Sequence, residues 1–334
     1  MEATLRTPSP LPPIIPNIAF PLSTVYCFSM EKIDGKALGK RILMIMVDGF
    51  GIPEGGWSGS VYDRFCVPGF VELMEERSFT VDPRMGVPGL PQSATGQTAL
   101  FTGENAAKLM KGHVQGFPGP TLRELIAEEN IFSKLLARGA ETAFANAYVR
   151  YTLEELAKLK SRSVTTVMTE ASLGWVRGLD YLEAGKAVYH DITRKSLAAE
   201  FGIDTISPAE AAGHLVDIAN ENDFTLFEYF LTDHAGHKRD SAFLAEVLRE
   251  FSEFFMELAV SAGDGLVVAL TSDHGNCEDL GTKRHTANPV PLFLPESSGP
   301  LDSTPIPIQN VVEAILGAPA QLGLEKSCLT SFGE

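Results

Sequence analysis

Aspartate and histidine recur together in this chain: Asp48, Asp233 with His234 and His237, Asp273 with His274, and a later stretch carrying His285. Carboxylate oxygens and neutral imidazole nitrogens suit divalent cations such as manganese or zinc. Several buried carboxylates gathered in one place would otherwise repel one another and take up protons. These residue types therefore point to a metal centre. If the backbone after Asp233 is helical, Asp233 and His237 share one face at i, i+4 spacing. A candidate nucleophile lies in the stretch from Gly89 to Gly103, where Ser93 follows Pro91 and Gln92 and opens a helix-like run. Free backbone N–H groups and the helix dipole favour an anion there, so a serine could attack phosphorus and leave its phosphoester on the helix N-terminus. Thr95 competes for that role by the same reasoning. Simple helix capping competes with both.

Something must deliver these groups to one place. Asp48, Asp233 and Asp273 each end a strand-like apolar run, beginning at Arg41, Phe224 and Leu266. Ile42 to Val47 is almost wholly apolar, as in a strand buried on both faces. Leu244, Val247, Leu248, Phe251, Phe254, Phe255 and Leu258 follow helical spacing, with Gly263 as a stop signal. A helix of that length between the Asp233 and Asp273 runs predicts a parallel strand–helix–strand unit, so both acidic ends point the same way. In an open parallel sheet, ligands gather beyond the carboxyl ends of the strands. Thr142 to Tyr148 and Pro289 to Leu294 read as further strands, and Pro120 to Arg138 as one or two helices.

The 334 residues carry a formal net charge of −16, with 44% hydrophobic and 21% charged residues. Such a charge opposes nonspecific binding to nucleic acid or to an anionic membrane, while a small anionic substrate stays compatible with a cleft holding cations. Cys27, Cys66, Cys277 and Cys328 show no paired spacing, so a reducing, cytoplasmic location is expected. No apolar run approaches the roughly 20 residues of a membrane span. Residues 1–38, broken by six prolines between Thr7 and Phe28, read as a disordered or loosely packed extension rather than a secretory signal, and Met30 is a second candidate start. Tyr148 to Asp204 holds eight Lys/Arg against eight acids, so the rest of the chain carries the whole negative charge. That stretch reads either as a lid supplying cations to a substrate anion or as ordinary mixed-charge surface.

Five motifs occur in order: Asp48-Gly49, Ser93-x-x-Gly96, Asp233-x-x-Gly236-His237, Asp273-His274-Gly275-Asn276 and His285-Thr286-x-Asn288-Pro289. Together they resemble the metalloenzyme branch of the alkaline phosphatase superfamily, which includes cofactor-independent phosphoglycerate mutase and phosphopentomutase. The likeness spans about residues 41–116 and 206–295. It implies an α/β fold: an alkaline-phosphatase-like three-layer α/β/α core with a mostly parallel sheet, built from residues 39–147 and 205–334, with a small inserted cap at 148–204. It implies two divalent ions, manganese or zinc, one held by Asp233, His237 and His285 and the other by Asp48, Ser93, Asp273 and His274. Ser93 would be the catalytic nucleophile and the partner a small phosphorylated substrate. Arg239, Lys283 and Arg284 are candidate contacts to that substrate, or solvated side chains.

His234 is expected to face solvent or support its neighbours, His113, His190 and His214 to be surface or satisfied residues, and Cys277 and Glu278 to be structural. The chain departs from the mutases in two ways: its insert is short, and Gln97 stands where they have histidine. A phosphatase or phosphodiesterase with a small cap is therefore the leading expectation. A phosphoglycerate or phosphosugar mutase and an inactive metal-binding protein are the alternatives.

Overall fold

A computed structural model describes residues 40–263, 265–295 and 304–317. The proline-rich extension, Met30, Cys27 and Cys328 lie outside the described residues. Seven strands form one sheet: β1 (Arg41–Val47), β2 (Ser78–Asp82), β3 (Thr142–Phe144), β4 (Phe224–Tyr229), β5 (Leu266–Ser272), β6 (Val290–Phe293) and β7 (Ile306–Pro307). Their order is β3-β4-β1-β5-β6-β2-β7. β3, β4, β1 and β5 run parallel, whereas β6 runs against both β5 and β2.

β1 shows why the sheet sits between two helical layers. Its side chains alternate across the pleat. Leu43, Ile45 and Val47 enter one apolar cluster with Phe227, Leu248, Phe251 and Phe255. Ile42, Met44 and Met46 enter the other with Leu100, Phe101, Leu122 and Phe132. The first layer is dominated by the Ser241–Ser261 helix, whose Leu244, Val247, Leu248, Phe251, Phe254, Phe255 and Leu258 are buried as their spacing predicts. Burying each such side chain contributes about 1.5–3 kcal/mol. Asp240 caps this helix, accepting from the N–H groups of Ala242 and Phe243.

Some boundaries differ from expectation. β3 stops at Phe144, because Asn146 and Ala147 pair instead with Val188 and Arg177. Pro120 to Arg138 forms two helices, Pro120–Glu128 and Ile131–Leu136, separated where Asn130 makes a capping box with Ser133. Asp233 does not end a strand: β4 stops at Tyr229, and Asp233 lies in the first turn of the Leu231–Lys238 helix.

Residues 148–204 contribute to the core as well as to a small cluster of their own. Their Val164–Ser172 helix buries Val164, Val167 and Met168 in the second apolar layer. Farther on, Leu182, Ala187, Tyr189, Leu197 and Ile203 form a small cluster with Ala147. No helix among the described residues is long and apolar enough to cross a membrane.

Candidate metal centre

The parallel register does most of the positioning. Val47 is level with both Tyr229 and Ser272, so the chain leaves β1, β4 and β5 at the same edge. Asp48 and Asp273 follow directly, and Asp233 arrives one helical turn later. Two close approaches explain glycines of the motifs. A Cβ on Gly49, whose φ is +69°, would lie 2.8 Å from Asp233 Oδ1, and a Cβ on Gly96 would lie 2.8 Å from the backbone oxygen of Asp273.

Two ligand-like clusters result, Asp233–His237–His285 and Asp48–Asp273–His274. In the first, His237 Nε2 lies 3.3 Å from Asp233 Oδ2, and His285 Nε2 lies 3.5 Å from Asp233 Oδ1. The Nδ1 of His237 is 2.8 Å from the Lys283 carbonyl, and that of His285 is 2.9 Å from the Pro91 carbonyl. A carbonyl can only accept, so both Nδ1 atoms carry a proton and both Nε2 atoms face inward, 3.2 Å apart. Two ring nitrogens facing each other beside a carboxylate need a proton or a cation between them, and these donors fit a divalent metal.

In the second cluster, His274 Nε2 lies 3.2 Å from Asp48 Oδ1, 3.5 Å from Asp273 Oδ2 and 2.9 Å from Ser93 Oγ. One ring nitrogen has at most one proton for three oxygens. Asp48 Oδ1 is buried and has no hydrogen-bond partner among the described residues. This donor set also fits a metal. The two clusters touch through the His274 and His285 rings, stacked 3.7 Å apart.

Electrostatics points the same way. Burial, then the charge of Asp273, raises the Asp48 carboxyl well above the usual range. Burial, then the charge of Asp233, pushes Asp273 up to about 7. Burial also holds His274 and His285 down to about 4, which keeps both imidazoles neutral at pH 7. For Asp233, burial acts upward but is outweighed by hydrogen bonds from His237 and Asn276 and by nearby imidazoles, so it stays low.

Ser93 is the first residue of the Ser93–Thr102 helix, and Gln92 makes no side-chain cap there. It lines a cavity of about 380 Å³ together with Asp48, Gln97, Glu228, Asp233 and His234. Thr95 is buried elsewhere: its hydroxyl donates to the Gln92 carbonyl and accepts from the Val114 N–H. Arg239, Lys283 and Arg284 are not among the cavity-lining residues. Arg239 donates to the Leu280 carbonyl, and Lys283 contributes its own carbonyl to His237. His190 stacks on Phe230.

Several contributors lie outside the expected ligand set. Asn276 Nδ2 donates to Asp233 Oδ1 at 2.6 Å. Glu278 accepts from the N–H groups of Gly51 and Asn276, from Thr286 and from Asn288, which binds the ligand-bearing loops together. Glu228 interrupts the apolar β4, and that interruption is its signal in the sequence. A file of hydroxyls, Tyr148 to Thr166 to Ser163 to Thr165, ends on its carboxylate and joins residues 148–204 to the sheet beside the cavity.

A family model described as "Metalloenzyme superfamily" matches residues 198–301, the span holding Asp233, His237, Asp273, His274 and His285. Over that span the chain matches the metalloenzyme superfamily. Among solved structures the chain is similar to the PH0037 protein of Pyrococcus horikoshii, with 16% identity over 86% of this chain and 99% of that one, at a TM-score of 0.52. It is also similar to the alkaline phosphatase of the Antarctic bacterium TAB5, with 13% identity over 84% and 98% of the two chains at a TM-score of 0.43. A third similarity is to a protein in the alkaline phosphatase superfamily from Vibrio parahaemolyticus, with 13% identity over 86% and 67% at a TM-score of 0.49. The comparison with curated proteins finds no match. Asp48 and Ser93 lie outside the matched span and reach the candidate site through the β1 register and the Ser93–Thr102 helix.

Proposed function

We propose that the chain is a two-metal phosphohydrolase, a phosphatase or phosphodiesterase acting through a phosphoserine on Ser93. The observation that carries this reading is the convergence of Ser93 Oγ and His274 Nε2, 2.9 Å apart, at a helix N-terminus where two ligand clusters meet. Asp233, His237 and His285 would hold one ion, and Asp48, Ser93, Asp273 and His274 the other. When bound, such ions neutralise phosphoryl oxygens and favour the serine alkoxide.

The chain's own groups account for the rest. The first turn of the Ser93–Thr102 helix directs N–H groups at the anion. Ser93 Oγ gives up its proton to solvent and forms the bond to phosphorus as the ester bond breaks, the leaving oxygen takes a proton from solvent, and water then cleaves the phosphoserine to release phosphate and the serine hydroxyl.

Water rather than a retained substrate hydroxyl is favoured as the second attacker. Turning a small anion without releasing it requires a cation-lined chamber that excludes water. Arg162 is the one Lys or Arg among the cavity-lining residues, and its guanidinium is already paired with Glu170. Turnover of a panel of phosphomonoesters and phosphodiesters in oxygen-18 water, with manganese or zinc added, tests the proposal. Label in released phosphate supports hydrolysis. An isomerised product with no free phosphate makes the enzyme a mutase. Metal binding without turnover of any ester leaves a metal-binding protein that is not an enzyme.

A further inference from the structure

Gln97 stands one helical turn beyond Ser93, so the two side chains share the helix face turned to the sheet. It is 3% exposed. Its Nε2 lies 3.1 Å from Asp48 Oδ2 and 3.1 Å from Asp273 Oδ2. Those aspartates follow adjacent parallel strands in register, which brings two carboxylates side by side at the sheet edge. A primary amide nitrogen carries two protons, and here each aspartate takes one. Both carboxylates are thereby fixed in rotation. Asp48 is left with Oδ1 toward His274, and that oxygen has no hydrogen-bond partner among the described residues.

We infer that Gln97 is the positioning residue of one metal site only, the one formed by Asp48, Asp273, His274 and Ser93. The inference rests on the two-metal reading above. An amide is suited to this post: it donates to two carboxylates without adding a charge that would compete with a cation. The other cluster is held by different partners, the Pro91 and Lys283 carbonyls behind His285 and His237 and the Asn276 amide on Asp233, and Gln97 bonds to none of its members. Loss of Gln97 should therefore act on the two sites unequally, which a general loss of packing would not.

Calorimetric titration of metal-free protein with zinc and, separately, with manganese tests this in wild type, Gln97→Leu and Gln97→Glu. The wild type should take up two ions. Gln97→Leu should keep one site at wild-type affinity and weaken the other about 10–100-fold, the usual scale for a residue that orients metal ligands. The retained site reports that the variant is folded. Gln97→Glu, which replaces the donating amide by an oxygen, should weaken the same site. Equal weakening of both sites, or no change at either, would overturn the role of Gln97. A wild type that binds neither metal would overturn the two-metal reading itself.

Discussion

Ser93 Oγ and His274 Nε2 stand 2.9 Å apart, although 181 residues separate them in the chain. The contact joins a helix N-terminus to the end of a central strand, and it sets the proposed nucleophile among the candidate ligand groups. Replacing Ser93 by alanine should abolish turnover while leaving melting behaviour close to wild type, since the loss of one hydrogen bond costs about 1 kcal/mol. Thr95→Ala should retain turnover and lose modest stability, because its hydroxyl bonds only to backbone. Paired rate and melting measurements on the two variants check both outcomes.

Asp273→Asn and His237→Ala each remove a donor from a different cluster. Both should lower the metal content of the purified protein and abolish activity. Loss of turnover with full metal occupancy in both variants would show that these side chains serve the reaction in some way other than as ligands. Elemental analysis alongside an ester assay makes the comparison.

Glu228 should mark the pH dependence of the metal-free protein. Burial pushes its carboxyl up to about 7, against the opposing pull of the Thr165 hydroxyl. The unfolded value is about 4.3, so between these limits the folded state binds more protons than the unfolded state. Stability contributed by this group is therefore present below about pH 4 and falls as pH rises through about 7. Glu228→Gln should make the metal-free protein more stable than its parent above pH 7, by about 4 kcal/mol at most, with the gap closing toward pH 4. Denaturant titrations at several pH values would show it, and a gap independent of pH would contradict this assignment.

Glu278 is the acceptor for four donors that tie the loop after β5 to Gly51 and Asn288. Glu278→Ala strands those donors in a buried place, where each unsatisfied group costs about 1–3 kcal/mol. The variant should lose several kcal/mol of stability and bind metal less tightly. Chemical denaturation and metal titration would reveal both effects.

The sequence made some of this legible and concealed the rest for physical reasons. The β1, β4 and β5 runs could be read because central strands of a parallel sheet are apolar on both faces, and the Ser241–Ser261 helix because its burial repeats at helical spacing. Asp48, Ser93, Asp273 and the histidines carried motifs. Gln97, Glu228 and Asn276 act through geometry across distant segments, so nothing local announces their partners. The same limit applies to residues 148–204: their balanced charge says nothing of the Val164–Ser172 helix, whose apolar side chains lie in the core.

Trapping the covalent intermediate tests the central claim most directly. The metal-loaded protein, quenched in acid during turnover of an accepted phosphoester and digested for mass spectrometry, should carry one phosphoryl group on Ser93, absent from metal-free protein and from Ser93→Ala. Steady turnover with Ser93 unmodified and Ser93→Ala still active, or a phosphoryl group on Thr95, would contradict the assignment of Ser93 as the nucleophile.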